Sequence, residues 1–330
     1  MTELPSPADP SATPSAALAA AFAPPPPSKP QVRPIVAPAA ATGTRPRILP
    51  DGPQLVGAAL TIVAALLIGL VLELGPLGSL KHLRDHQTGY AALRESLAKG
   101  TVPIGQLDQT GAPVQLGTPV ALLEIPELGL TEVVREGTTG GVLELGPGHR
   151  RDSPMPGQAG TAVLLGRQAG YGGPFGNLGS LTVGETFKVT TGQGVSKFRV
   201  LKVRRAGDPL PPDITPGAGR LILVTGSGPE FGPNGTLVVD ADLTSDVLPN
   251  NPRPMSADAL PRSETAMGTD DGAWIPLVLW GELLLLAAVG LALGWARWGR
   301  RPTWIIGVPV LGAVSLAVAD EVARLLPNLI

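Results

Sequence analysis

The sequence predicts a mainly β protein: an antiparallel β-barrel ectodomain joined to three transmembrane α-helices. Between Pro119 and Asp240, short runs rich in Val, Leu, Ile and Thr alternate with glycine and proline turns, as in a barrel or sandwich. Leu55–Leu77, Trp274–Ala296 and Trp304–Leu326 each reach the roughly 20 residues that a helix needs to cross a bilayer. The mean hydropathy of +0.22 is high for a water-soluble chain.

The elements follow in order. Residues 1–53 are rich in Pro, Ala and Ser and include the run Pro24–Pro27, which predicts a disordered cytoplasmic tail. Residues 54–77 form the first membrane helix, with Glu73 its single charge. Its length and the long leader before it argue against a cleaved signal peptide. Residues 78–117 form a stalk, in which the leucine spacing is interrupted at Gly89 and a short helix runs from about Tyr90 to Lys99, ended by Gly100. His82 and His86 are expected to be exposed on it.

The β runs lie within residues 118–243 and are Pro119–Ile125, Leu130–Val134, Thr161–Leu165, Thr186–Thr190, Phe198–Val203, Arg220–Thr225 and Thr236–Asp240. About 125 residues suffice for one core. Residues 244–273, rich in Pro, Asn, Ser and Asp, read as a flexible linker. Helices at 274–296 and 304–326 flank a basic turn, 297–303, containing Arg297, Arg300 and Arg301. With Arg45 and Arg47 before the first helix, this turn places the N-terminus in the cytoplasm and the barrel outside, in a multi-pass cell-membrane protein. Lys81 and Arg84 oppose that orientation weakly.

Composition excludes several chemistries. The net charge is −2 and no long basic run is present, so the electrostatic footprint of a nucleic-acid binder is missing. The 330 residues include no cysteine, which rules out disulfides, thiolate metal sites and thiol catalysis. Three scattered histidines form no recognisable metal motif, and neither metal nor cofactor is expected.

Ordered blocks then point to a family. VALLEIPELGL (120–130), EGTTGGVLELGPGH (136–149), MPGQAGTAVLLG (155–166), YGGPFGNLGSL (171–181) and RLILVT (220–225) together resemble a bacterial sortase, most closely class E, over residues 118–243. The resemblance implies a sortase-like barrel of a Gram-positive, actinobacterial envelope. In that family the catalytic histidine follows the glycine of the L-x-G strand end, where this chain has Arg167 after Gly166. The cysteine follows the threonine of R-L-x-L-x-T, where Gly226 follows Thr225. The arginine opens the last strand near Thr236, and no Arg occurs between Gly226 and Ala241.

Without a thiolate no acyl-enzyme forms, and without the imidazole no group carries a proton to the leaving amine. The resemblance therefore implies a pseudo-sortase: a non-catalytic binding or scaffolding module for an envelope peptide or protein. One alternative is a cysteine-independent transpeptidase or hydrolase using Ser227 with His149, although Ser227 reads as a turn residue and His149 as part of a solvated loop. Another is a structural membrane subunit of an envelope complex. Arg167 reads either as a groove residue gripping a carbonyl or carboxylate, or as a surface arginine bonded to loop carbonyls. Tyr171, Phe175, Thr225 and Ser227 are the other groove candidates, with Tyr171 and Phe175 read first as core.

The membrane acids are the second feature. Counting ~1.5 Å per residue puts Glu73, Glu282 and Asp320 about 22–28 Å up their helices. Arg324 lies one turn after Asp320 and can pair with it, and Gly290 and Gly294 offer a face for close helix contact. Glu282 is expected to turn inward, toward Arg324 or a partner's helix. Equally, these acids can simply reach the outer interface.

Overall fold

The computed structural model describes residues 66–252 and 255–330. The predicted tail, Arg45 and Arg47, and the first part of the first apolar stretch lie outside the described residues.

Helix α1 (Leu66–Lys99) is long and apolar enough at its start to cross a membrane. At a π-turn over Glu73–Leu77, Pro76 supplies no N–H and Gly75 leaves helical geometry (φ −96°, ψ −105°). The helix then continues unbroken through Gly89 to Lys99, where Gly100 caps it in the left-handed region (φ 65°). This corrects the short stalk helix. Gly89 is not a break because its face is covered. Arg135 lies against it and donates to the Asp85 carbonyl (2.8 Å) and the Gly117 carbonyl (3.0 Å). His82 is buried rather than exposed, with Nε2 3.1 Å from Glu132 Oε1.

Eight strands close a barrel: β1 (Pro119–Ile125), β2 (Leu130–Glu136), β3 (Gly148–His149), β4 (Gly160–Leu165), β5 (Thr186–Thr191), β6 (Gly194–Arg205), β7 (Gly219–Ser227) and β8 (Gly235–Leu243). Around the barrel the order is β1-β2-β3-β4-β7-β8-β6-β5. All seven sequence-predicted runs are strands; Pro119–Ile125 has the expected bounds and the other six are longer. Helix α2 (Gly140–Leu145) and the two-residue β3 went unpredicted. The barrel is also not purely antiparallel. β2 pairs with β3, and β4 with β7, in parallel, because α2 and the β5–β6 hairpin carry the chain across between them.

Alternation along each strand fills the interior. Leu221 and Leu223 of β7, Val239 and Ala241 of β8, and the stacked pair Phe187 and Phe198 (centroids 5.7 Å apart) lie in one core. Strands β4 and β7 are apolar on both faces, a pattern that requires cover outside as well as inside.

After the barrel the chain is strapped down. The Leu248 N–H donates to the Gly157 carbonyl (2.8 Å), the Asn250 side chain bonds both main-chain groups of Ala159, and Arg151 clasps the buried Glu264. Residues 244–273 therefore hug the barrel where they are described, in place of the flexible linker expected from composition.

Helices α3 (Trp274–Trp298) and α4 (Arg300–Leu325) form a hairpin, and both contain stretches long and apolar enough to cross a membrane. Their close approach is at Gly307, against Leu291. Gly290, predicted as the contact, has nothing within 4 Å of where a side chain would begin, and Gly294 is half-buried. Glu282 faces outward and makes no ion pair among the described residues, so it does not meet Arg324. Arg324 instead lies beside Asp320 (3.9 Å) and Glu321 (3.6 Å), while Lys81 bridges the buried Glu73 and Asp320.

Candidate functional site

The parallel pairing of β4 with β7 builds the site. Leu165 sits beside Val224, and the Gly166 N–H donates to the Val224 carbonyl (3.0 Å). Two residues further along each strand, Arg167 and Gly226 therefore emerge at the same end of the barrel. The sequence placed them together only through the resemblance.

Arg167 is fully buried, which corrects the reading of a surface arginine. Its Nη1 donates to the main-chain oxygen of Ile330 (2.8 Å) and its Nη2 to the Gly140 carbonyl (2.9 Å). The guanidinium stacks on Tyr171 (4.7 Å to the ring centroid) and lies 3.5 Å from Glu144 Oε1. Burial pushes the Glu144 carboxyl up to about 7, against the pull of Arg167. Burial also lowers the Arg167 guanidinium, which Glu144 opposes, and raises the Tyr171 phenol. An arginine remains a donor at any physiological pH and cannot accept a proton.

Gly226 leaves no ready space for a nucleophile. A Cβ there would stand 2.6 Å from Gln168 Oε1, 3.1 Å from Pro233 Cβ and 3.2 Å from the Leu329 carbonyl oxygen. Thr225 is buried, and its Oγ1 has no hydrogen-bond partner among the described residues. Thr236, the second residue of β8, pairs with Gly226. Tyr171 joins Leu74 and Ala323 in a small apolar cluster, whereas Phe175 belongs to the barrel core and packs on Gly166, so it does not line the cleft.

No hydrogen bond joins Ser227 to His149 among the described residues. Ser227 is the last residue of β7, paired with Gly235, and not a turn residue. His149 is buried in β3, not on a solvated loop. Its Nδ1 lies 2.9 Å from Glu136 Oε2 and its Nε2 3.0 Å from the Pro154 carbonyl. Burial alone would depress its pKa, but Glu136 and the Pro154 carbonyl more than offset that and raise it. Both ring nitrogens are thus engaged, Nδ1 by Glu136 and Nε2 by the Pro154 carbonyl with Ser153 Oγ 3.2 Å away, and neither by Ser227. Among the described residues no group of three or more His, Asp or Glu side chains is placed to hold a metal.

Sequence reasoning missed the residues that complete the cleft. Leu329 is fully buried against Leu143, Val163, Leu165, Val224 and Val238, on the outer faces of α2, β4, β7 and β8. Its carbonyl accepts from the Gln168 N–H (2.8 Å). Nothing in their spacing marks residues 327–330, which follow the predicted third membrane helix.

A family model described as Sortase domain matches residues 123–244. Similar solved structures include the Sortase D5 transpeptidase of Clostridium perfringens (21% identity, 49% of this chain and 99% of that one, TM-score 0.40). SrtF sortase from Corynebacterium diphtheriae is 25% identical over 44% of this chain and 95% of its own, with a TM-score of 0.36. Sortase E1 from Streptomyces coelicolor, solved with a tripeptide in the active site, is 25% identical over 40% of this chain and 91% of its own, with a TM-score of 0.36. No curated protein matches the chain.

Proposed function

Taking residues 123–244 as a sortase-family domain, we propose that the chain is a class E-like pseudo-sortase. It is a membrane-anchored, extracytoplasmic, non-catalytic module that binds or scaffolds a peptide or protein of a Gram-positive, actinobacterial cell envelope. The observation that carries this reading is the pair at the strand ends: Arg167 and Gly226 stand where the family has its histidine and cysteine. A buried, always-protonated guanidinium bonded to two main-chain oxygens can grip a peptide but cannot relay a proton. A glycine has no nucleophile, and no cysteine elsewhere in the chain can replace it. Three apolar helices supply the anchor, oriented by the basic turn around Arg297 and Arg301.

The test is turnover of a sorting-type peptide with an amine acceptor by the detergent-purified full chain, beside its Ser227→Ala variant. Neither is expected to cleave or transfer. Cleavage by the native chain that Ser227→Ala abolishes would sink the reading. Gly226→Cys with Arg167→His should also stay inactive, since the arginine near Thr236 is still missing and the cleft is crowded at Gly226.

A further inference from the structure

We propose that the cleft at Arg167 and Gly226 is a peptide-binding site whose resident ligand is this chain's own segment Pro327–Ile330, held in cis beyond helix α4. The inference does not depend on whether the domain is catalytic, since a filled cleft would equally restrain an active one.

The segment is held as a ligand is held. Asn328 is buried, its N–H donates to the Gly268 carbonyl (2.9 Å), and its side-chain amide donates to the carbonyls of Thr138 and Thr265 (both 2.9 Å). Leu329 fills an apolar socket and accepts a main-chain bond from Gln168 (2.8 Å). The Ile330 oxygen takes the Arg167 guanidinium (2.8 Å). Two glycines let the segment come this close: a side chain on Gly226 would begin 3.2 Å from the Leu329 oxygen, and one on Gly170 would begin 3.0 Å from the Ile330 oxygen.

The strands themselves call for an occupant. Val163 and Leu165 of β4, Val224 of β7 and Val238 of β8 turn apolar side chains outward, and Leu329 covers them. Burying the Leu329 side chain in that socket removes apolar surface from water and favours the bound segment. The recognised chemistry is thus a short peptide with a carboxamide side chain, then an aliphatic residue, then a main-chain oxygen for the guanidinium. An outside peptide of that chemistry must first displace residues 327–330. Helix α4 also gains a purpose beyond anchoring, because it delivers the segment to the cleft.

The absence of native cysteine gives a clean test in the full chain, kept in its membrane. Val238→Cys combined with Leu329→Cys should form an intramolecular disulfide on mild oxidation, seen as loss of two alkylatable thiols by intact mass. Val195→Cys with Leu329→Cys should stay reduced, because Val195 is exposed near the start of β6. Two free thiols in the first pair would overturn the proposal. So would disulfide-linked dimers, which would make the occupant a second copy. As the second arm, Leu329→Asp cannot enter the apolar socket and should open the cleft. A fluorescent peptide with the sequence of residues 326–330 should then bind that variant at least tenfold more tightly than the native chain. Equal binding to the two chains, or none to either, overturns the proposal.

Discussion

Gly89 and Arg135 are in contact: a methyl group added to Gly89 would overlap Nη2 of Arg135 and stand 3.1 Å from its Cζ. The guanidinium is fixed there by the Asp85 and Gly117 carbonyls and ties the stalk helix to the barrel. Helix propensity alone says that Gly89→Ala should stabilise by about 1 kcal/mol. The contact reverses the sign. Displacing Nη2 gives up its charged hydrogen bond to the Asp85 carbonyl, worth about 1.5–3 kcal/mol, so after the propensity gain Gly89→Ala should destabilise the chain by about 0.5–2 kcal/mol. Thermal unfolding of the full chain reads this out, and a raised midpoint would refute it.

Asp240 is fully buried on β8 and is satisfied by Arg204 of β6, at 2.7 Å to Nε and 3.3 Å to Nη2. Arg204→Met leaves a buried carboxylate unpaired and should cost ~3 kcal/mol. Adding Asp240→Leu to that variant should recover most of the loss. Urea unfolding of the single and double variants measures both, and a double variant no better than the single one would contradict the argument.

Stability should fall as pH rises through the neutral range. The Glu144 carboxyl is held up to about 7 against its ordinary 4.5, so between those values the folded chain keeps a proton that the unfolded chain has released. The loss builds up between about 4.5 and 7, amounts to ~3 kcal/mol in all, and is complete once both states are ionised. His149 acts with the same sign: its raised pKa stabilises the fold below the ordinary histidine value of 6.5, and that gain is lost as pH climbs through the raised value. Unfolding midpoints should be lower at pH 8 than at pH 5, and Glu144→Gln should shrink the difference. A midpoint that climbs over this interval would contradict it.

The proposed orientation makes a separate claim. Reporters fused within the Arg297–Arg301 turn should be active in the cytoplasm, and protease added outside cells should reach the 206–218 loop of the barrel. Outside accessibility of the basic turn would show that the orientation is inverted.

The barrel was legible because each strand is a short β-branched or aliphatic run punctuated by glycine or proline. β7, from Arg220 to Thr225, is the clearest case. β3 and α2 were not, since two residues carry no period and GGVLEL reads as a turn. The stalk helix was misread because Gly89 looks like a breaker until Arg135, distant in sequence, is seen to need the space. At the site, Arg167 and Gly226 were legible as positions, but the environment of Arg167 was not. Its partner Ile330 is 163 residues away, and no local pattern reports a contact of that range. Glu282 was predicted to face inward on energetic grounds, and nothing in the spacing of α3 told which way it turns.

The Arg167–Ile330 contact also sets an order of assembly. Synthesis runs from the N-terminus, and all eight strands are made before helices α3 and α4 exist. Until residues 327–330 arrive, Val163, Val224 and Val238 present a sticky stripe on a finished barrel. The contact between the end of β4 and residues 327–330 therefore forms only after helix α4 has been made. A chain stalled or clipped within α4 would keep that stripe uncovered, marking it for chaperones or proteases as incomplete.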